Sequence, residues 1–242
     1  MSEALSTDVL IVGGGIAGLW LNARLRRAGY ATLLVESDRL GGGQSVKSQC
    51  IIHGGTKYAL HGALTGSSEA IADMPGRWRK ALNGEGELDL TGVRLLSDAH
   101  YLWSPGSLAG NLTSFFASKA MRGRVDAVKG EQLPPALQHP QFKGKVYRLA
   151  ELVLDVPSLI TRLAELAADG LLAAERIEAL HEDGALTGLR VDGREIRAQR
   201  IVLSAGEGNA ALLAALGLEQ PKQQLRPLHM VLVKGPNLKP IY

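Results

Sequence analysis

The chain has 242 residues, 45% hydrophobic and 21% charged, enough for one large domain or two small ones with a sizeable core. A formal charge of +3 tolerates an anionic ligand without demanding one, and no block of like charge reads as a nucleic-acid arm; Arg77 to Lys80, the densest basic spot, reads as a solvated helix face. A single cysteine, Cys50, excludes an internal disulfide and a cysteine metal cluster, and no apolar run reaches the roughly 18 residues of a spanning helix, so a reducing, cytoplasmic setting is expected.

Asp8 to Val12 is a short apolar, β-branched run that predicts a buried parallel strand. Six residues, Gly13 to Gly18, separate it from Leu19 to Ala28, where Ala17, Leu21, Leu25 and Ala28 fall at helical spacing and Gly29 is a natural stop. Ala31 to Val35 is a second apolar strand, ending in Glu36, and completes a β-α-β unit of about 30 residues. Arg39 to Tyr58 is irregular and rich in glycine. Ser67 to Leu82 predicts a helix interrupted at Pro75, Asn83 to Glu87 a turn, Val93 to Trp103 a strand and Leu108 to Met121 a helix. Val125 to Tyr147 is broken by prolines into loops or short strands. Ala150 to Val156 reads as a strand, and Pro157 opens a helix over Ser158 to Ala168. Ile177 to Leu180, Gly188 to Val191 and Glu195 to Ala198 alternate like antiparallel strands joined by tight turns. Ile201 to Leu203 is a further buried run, and Arg226 to Val233 a last strand. With α/β material at both ends and a less regular middle, the architecture expected is a nucleotide-binding domain interrupted by an inserted second domain.

Gly13-Gly14-Gly15-Ile16-Ala17-Gly18 matches the G-x-G-x-x-G fingerprint of dinucleotide binding. Gly13 allows the tight turn off the strand, Gly15 lets a pyrophosphate approach the backbone, and Gly18 lets the helix pack close. The helix start offers unpaired N–H groups and a positive dipole end to phosphates. Glu36 lies at the end of the second strand, where a carboxylate accepts from ribose hydroxyls; its charge disfavours a 2′-phosphate and hence NADP. The fingerprint alone does not separate NAD from FAD. The long irregular excursion after Glu36, in place of further β-α repeats, favours the larger ligand.

Four stretches, "VLIVGGGIAGL", "LLVE" ending in Glu36, "GGQSVKSQCIIHGG" and "IVLSAGEG" at Ile201 to Gly208, resemble the D-amino-acid-oxidase-like superfamily of FAD-dependent oxidoreductases. The loop motif looks most like the branch of 2-hydroxyacid and glycerol-3-phosphate dehydrogenases. The resemblance implies an α/β fold: a Rossmann-like FAD-binding domain, with a parallel sheet plus a small antiparallel sheet, and an inserted α+β substrate domain. The boundaries expected are 1–65 and 150–220 for the first, and 66–149 and 221–242 for the second.

The same resemblance implies FAD as cofactor, with Gly13, Gly15, Ile16, Ala17 and Gly18 at the pyrophosphate and Glu36 at the adenosine ribose. Gln44 and Ser45 would lie along the pyrophosphate and ribityl chain, and Ser48 and Gln49 near the flavin. Ile177 would flank the adenine through its backbone, Ala205 and Gly206 would close over the cofactor, and His53 would sit near the isoalloxazine ring. Cys50 stands where the family pattern has glycine. Relatives also carry a further glycine-containing segment for the pyrimidine end of the flavin, so the substrate domain is expected to be incomplete here, and a partner chain is one source of that segment.

The activity implied is dehydrogenation of a small amine, amino acid or 2-hydroxyacid by hydride transfer to flavin, the electrons passing to an unidentified acceptor. An alcohol must also lose its hydroxyl proton, and His53 suits that role because an imidazole titrates near neutrality. For a neutral amine His53 would only position the substrate. It is alternatively a covalent attachment point for the flavin, or a loop histidine bonded to a backbone carbonyl. Lys57, Tyr58 and Arg226 are candidates to meet an anionic small-molecule substrate. His61, His100, His139, His181 and His229 show no paired metal-ligand spacing, so no metal is expected and each reads as surface or core packing. The competing readings are an NAD-dependent dehydrogenase and a non-catalytic dinucleotide-binding subunit of a heteromeric flavoenzyme.

Overall fold

The computed structural model describes residues 4–55, 70–104, 125–183, 185–227 and 229–242. The chain begins with β1 (Leu5–Val12), α1 (Ile16–Arg27) and β2 (Thr32–Glu36), the expected β-α-β unit. It continues through β3 (Ile51–Ile52), α2 (Met74–Leu82), β4 (Leu95–Ser97), β5 (His100–Ser104), β6 (Val125–Val128), β7 (Lys145–Leu149) and β8 (Leu152–Leu154). Then come α3 (Val156–Leu166), β9 (Leu171–Ala173), β10 (Ile177–Glu182), β11 (Ala185–Val191), β12 (Arg194–Leu203) and α4 (Asn209–Ala215). The helix expected over Leu108 to Met121 lies outside the described residues.

These elements form two compact units. One comprises Met1–Ser48, Glu87–Val93 and Val156–Leu228; the other comprises Gln49–Gly86, Arg94–Asp155 and His229–Tyr242. The division departs from the expected boundaries in two places. Residues just after Ser48 cluster with the second unit because Ile51 and Ile52 pair with Val153 and Leu152. Glu87–Val93 returns to the first, where Arg162 on α3 holds Asp89 through its carboxylate and its carbonyl.

The first unit is built on a six-stranded sheet in the order β10-β11-β12-β1-β2-β9. The four strands from β12 to β9 run parallel, and β10 and β11 form an antiparallel extension. Parallel neighbours need crossovers, and α1 supplies the one from β1 to β2. Alternation along β1 and β2 sends Leu10, Val12 and Val35 into a core with Leu189, Val191, Ile196 and Leu216. Ile11 and Leu34, fully buried, point to the opposite face. α1 and α3 pack on one another, burying Leu19 and Ala23 from one and Leu159 and Leu163 from the other. β12 runs unbroken through two stretches expected as separate strands. Its first residues pair with β11 and Ile196 onward pairs with β1, so no part of it lacks a ladder partner.

The second unit holds two three-stranded antiparallel sheets, β3-β8-β4 and β5-β7-β6. The helical stretch expected up to Leu82 is broken just before Pro75: Ala70 is helical, residues 71–73 form a turn, and α2 starts at Met74 with Pro75 in its first turn, where a missing N–H costs nothing. The strand expected over Arg226 to Val233 is not formed among the described residues. Val231, Leu232 and Val233 are exposed, and no neighbouring strand takes up their backbone groups. An apolar run supplies the side chains of a strand but not the ladder that makes one. Among the described residues no helix is long and apolar enough to cross a membrane.

If β1 is the central strand of the first unit, Leu10→Ala costs about 2–5 kcal/mol in urea unfolding, the range for emptying a closed core site. A loss well below 1 kcal/mol would contradict this placement.

Candidate functional site

β1 ends at Val12 and α1 begins at Ile16, so three glycines make the whole connection. Gly13 adopts φ +112°, where side chains are strained. A Cβ there would also lie 2.6 Å from Ala205 Cα. One on Gly14 would meet Leu40 Cδ2 at 2.6 Å, and one on Gly18 would overlap the Gly13 carbonyl oxygen. Gly15 differs: a Cβ there would meet only Ser45 Oγ, at 3.2 Å, with open space otherwise. Backbone contacts therefore demand glycine at Gly13 and Gly18, the Leu40 and Glu36 side chains crowd Gly14, and Gly15 keeps a surface of bare backbone.

The polar groups around this turn converge. The Ile16 N–H donates to Ser45 Oγ at 3.1 Å, and the Gly14 N–H to Glu36 Oε2 at 2.6 Å. Glu36 Oε1 accepts from the N–H groups of Ser37 and Asp38, both at 2.9 Å. An ionised carboxylate has about four acceptor positions, so one remains on Glu36 for a hydroxyl. The first N–H groups of a helix have no intrahelical partner, and those of Gly15 and Ala17 have no acceptor among the described residues. Ser204, after β12, lies 3.1 Å from the Val12 carbonyl and 3.0 Å from that of Gly13, which its single hydroxyl proton serves. Gly206, at φ +58°, packs against Gln44; a Cβ on it would be 2.6 Å from Gln44 Oε1. Gln223 Nε2 donates to the Gly206 carbonyl at 2.9 Å, and Gln223 Oε1 accepts from the Ala210 N–H at 3.1 Å.

The second unit holds a separate cluster. Glu151, between β7 and β8, has a side chain only 3% exposed. Its Oε1 accepts from the Gly54 N–H at 3.0 Å, and its Oε2 lies 3.0 Å from His53 Nδ1 and 3.4 Å from His100 Nδ1. Burial pushes this carboxyl up, but hydrogen bonds from His100, His53 and Gly54, with the charge of His53, outweigh it and hold the group down at about 2. The His53 and His100 rings meet edge to face at 6.3 Å between centroids. The cluster is positioned by its neighbours: Arg79 on α2 donates to the carbonyls of Ala150 at 3.5 Å and Asp98 at 3.1 Å, each beside or close to a cluster residue. Cys50, four residues from Gly54, takes φ +48° and is buried. That backbone conformation favours glycine, which explains the glycine of the family pattern. Burial pushes its thiol up, with Asp155 adding to the effect against a hydrogen bond at Leu154.

The structure thus brings Gly13, Gly15, Ile16, Ala17, Gly18, Glu36, Gln44, Ser45, Ala205 and Gly206 around one turn. Ser48 caps the following loop through Ser45, its Oγ donating to the Ser45 carbonyl at 2.8 Å. Gln49 is exposed at the start of the second unit, and Ile177 opens β10 with its side chain against the core. Arg226 falls in the first unit, not with His53, and its guanidinium meets Gln224 Oε1 at 3.3 Å. Lys57 and Tyr58 lie outside the described residues. His53 is held by a carboxylate and not by a backbone carbonyl, and His100, expected as packing, shares that carboxylate. Glu151 was not singled out in the sequence; its signal is a lone acid inside the apolar run Leu149 to Leu154. Among the described residues no group of three or more His, Cys, Asp or Glu is arranged to hold a metal.

A family profile described as FAD dependent oxidoreductase (DAO) matches residues 8–241. The chain belongs to this family. It is 76% identical over all 242 residues to the probable FAD-dependent oxidoreductase PA4991 of Pseudomonas aeruginosa, of which it spans 62%. The crystal structure of PA4991 aligns at 66% identity with a TM-score of 0.75, over 91% of this chain and 53% of that one. Glycine oxidase from Geobacillus kaustophilus shares the fold at 20% identity and a TM-score of 0.68, over 89% of this chain and 60% of that one. An alpha-glycerophosphate oxidase of Enterococcus casseliflavus is 41% identical over 66 residues, 27% of this chain and 10% of that one.

FAD is the cofactor of the family, and the groups around the turn are of the kind that would meet its adenosine diphosphate half. Bare backbone at Gly15, open N–H groups at Gly15 and Ala17, and the remaining acceptor position on Glu36 suit a pyrophosphate followed by a ribose. The family also sets FAD apart from the NAD-dependent alternative.

Glu151 has a depressed folded-state pKa, so the stability it contributes is full above about pH 4.5, its unperturbed range, and is lost as pH falls toward 2. The urea-unfolding gap between wild type and Glu151→Gln is therefore largest above pH 4.5 and closes between about 4.5 and 2. A gap that stays constant over that window contradicts the ion-holding arrangement.

Proposed function

We propose that the chain carries the FAD-holding and proton-accepting groups of an enzyme that dehydrogenates a small amine, amino acid or 2-hydroxyacid. The observation that carries this reading is an imidazole, His53, anchored at Nδ1 on a buried carboxylate and only five residues beyond Ser48, the end of the loop that caps α1. FAD, when bound, supplies the acceptor for the substrate's C–H hydrogen and its electron pair. The residues of this chain do the rest. Gly15, Ile16 and Ala17 hold the pyrophosphate, Glu36 the ribose, and Gln44 and Ser45 with Ala205 and Gly206 line the approach. Ser48 and Gln49 lead toward the flavin, and Ile177 flanks the adenine through its backbone.

His53 has 31% of its side chain exposed, so a substrate reaches it, while Nδ1 stays engaged. A hydroxyl proton leaving a 2-hydroxyacid goes to its free nitrogen, Nε2. A neutral amine has no such proton to lose before C–H cleavage, and with that substrate His53 only orients it. The glycine oxidase named above is named for an amino acid, and the alpha-glycerophosphate oxidase for an alcohol that carries a phosphate. The choice between them belongs to groups beyond those that hold the cofactor: Lys57 and Tyr58 remain candidates for an anionic substrate, and Arg226 a weaker one given its contact with Gln224. Because the chain spans 62% of PA4991, further substrate contacts are assigned to sequence corresponding to the remainder, in the same chain or a partner.

The test is anaerobic mixing of FAD-loaded protein with a panel of α-amino acids and 2-hydroxyacids, following loss of the flavin band near 450 nm. His53→Gln is expected to slow reduction by a 2-hydroxyacid roughly 10²–10⁴-fold, and to slow reduction by a neutral amine far less. Unchanged rates with every substrate that reduces the wild type would remove His53 from the chemistry.

A further inference from the structure

We infer that Glu151 is the positioning residue of this site: its carboxylate fixes both His53 and His100 as Nδ1–H imidazoles and so leaves the Nε2 lone pair of each open to a proton. The source of that proton is taken from the proposed dehydrogenation; the tautomers themselves do not depend on it.

The assignment follows from counting donors. The Gly54 N–H can only donate, so Glu151 Oε1 must accept. An ionised carboxylate has no proton to give, so the two imidazole nitrogens at Oε2, 3.0 Å and 3.4 Å away, must both carry hydrogen. In a neutral imidazole the other nitrogen is then the acceptor. Three donors on one buried carboxylate compensate for its removal from water, which is otherwise costly. Loss of any of them leaves charge uncompensated.

The shared oxygen also couples the two rings. A proton arriving at either Nε2 forms an imidazolium against the carboxylate and brings the cluster to neutrality. A second proton, on the other ring, leaves a net positive charge in a half-buried site where, among the described residues, Glu151 is the carboxylate in contact with the rings. The charged groups on surrounding elements do not alter that count. Arg79 on α2 is taken by the carbonyls of Ala150 and Asp98. Arg148 on β7 pairs with the Asp98 carboxylate at 3.0 Å, and Arg94 pairs with Asp155 at 2.9 Å beside β8. Cys50, its thiol pushed up by burial, stays neutral near β3.

The experiment is long-range ¹H–¹⁵N correlation of the histidine rings in the ¹⁵N-labelled 242-residue chain, for wild type, Glu151→Gln and His100→Gln, across pH 5 to 9. Wild type is expected to show protonated Nδ1 and bare Nε2 for His53 and His100 at the alkaline end. In Glu151→Gln the amide turns its NH₂ toward Nδ1, so His53 switches to the Nε2–H form; the same carboxylate-to-amide change gives the wrong tautomer in a serine-protease triad. In His100→Gln the His53 tautomer is retained.

A wild-type His53 in the Nε2–H form overturns the assignment, and so does a tautomer that survives Glu151→Gln. If Glu151→Gln does not fold, the wild-type spectrum alone decides. Correct tautomers together with a His53→Gln variant that reduces flavin at full rate would instead sink the dehydrogenation reading and leave the positioning role standing.

Discussion

The turn between β1 and α1 has no room for side chains, and the first unit depends on that crowding. Gly13 lies against Ala205, Gly14 against Leu40 and Glu36, and Gly18 against the Gly13 carbonyl and Ser204. Gly13 and Gly18 tie the turn to the end of β12, and Gly14 ties it to the end of β2. Ser204 and Ala205 follow β12, and Glu36 closes β2. The β1–β12 and β1–β2 ladders bring these ends together in register, with Val12 opposite both Leu203 and Val35. A methyl group at any of the three positions would force the ends apart. The one glycine that packing does not require, Gly15, is the one whose backbone stays open beside the helix start.

The second unit rests on a different device, a carboxylate taken out of water. Glu151 is buried where β7 turns into β8, and it survives there because Gly54, His53 and His100 all face it. His53 and Gly54 directly follow β3, His100 opens β5 and Glu151 lies between β7 and β8; β3 and β8 belong to one sheet, β5 and β7 to the other. The ion thus fixes the geometry between those sheets as well as the orientation of the imidazoles. A hydrophobic residue at this position would pack as well, but it would leave both rings free to choose their tautomers. That contrast is the reason to read the cluster as chemistry and not only as structure.

How much of this was legible in the sequence follows from the range of the signal. The glycine turn is written within six consecutive residues, Gly13 to Gly18, with Glu36 one strand later, so spacing alone conveyed the β-α-β unit and its tight connection. His53 stood out because it breaks an irregular, glycine-rich loop. Glu151 and His100 did not, since their meaning lies in a contact across 51 residues, and an isolated acid in an apolar run carries no spacing rule. The strand expected at Arg226 to Val233 failed for a related reason: an apolar run was present, but among the described residues no neighbouring strand was. β12 failed in the opposite direction, as two partners on its two edges joined runs that polarity divided. Cys50 combines the two situations. Its left-handed backbone is a property of the loop, visible only as a departure from the glycine expected there.

The account turns on the first unit holding the adenosine diphosphate half of FAD by its own residues. The most direct measurement is calorimetric titration of the 242-residue chain with ADP, for wild type and for Gly15→Val. The wild type is expected to bind, with affinity falling as salt rises, and Gly15→Val, which fills the open backbone without touching the packing at Gly13, Gly14 or Gly18, is expected to lose that binding while remaining folded. A folded wild-type chain that takes up no ADP, or a Gly15→Val variant that binds it as well as wild type, would contradict the cradle.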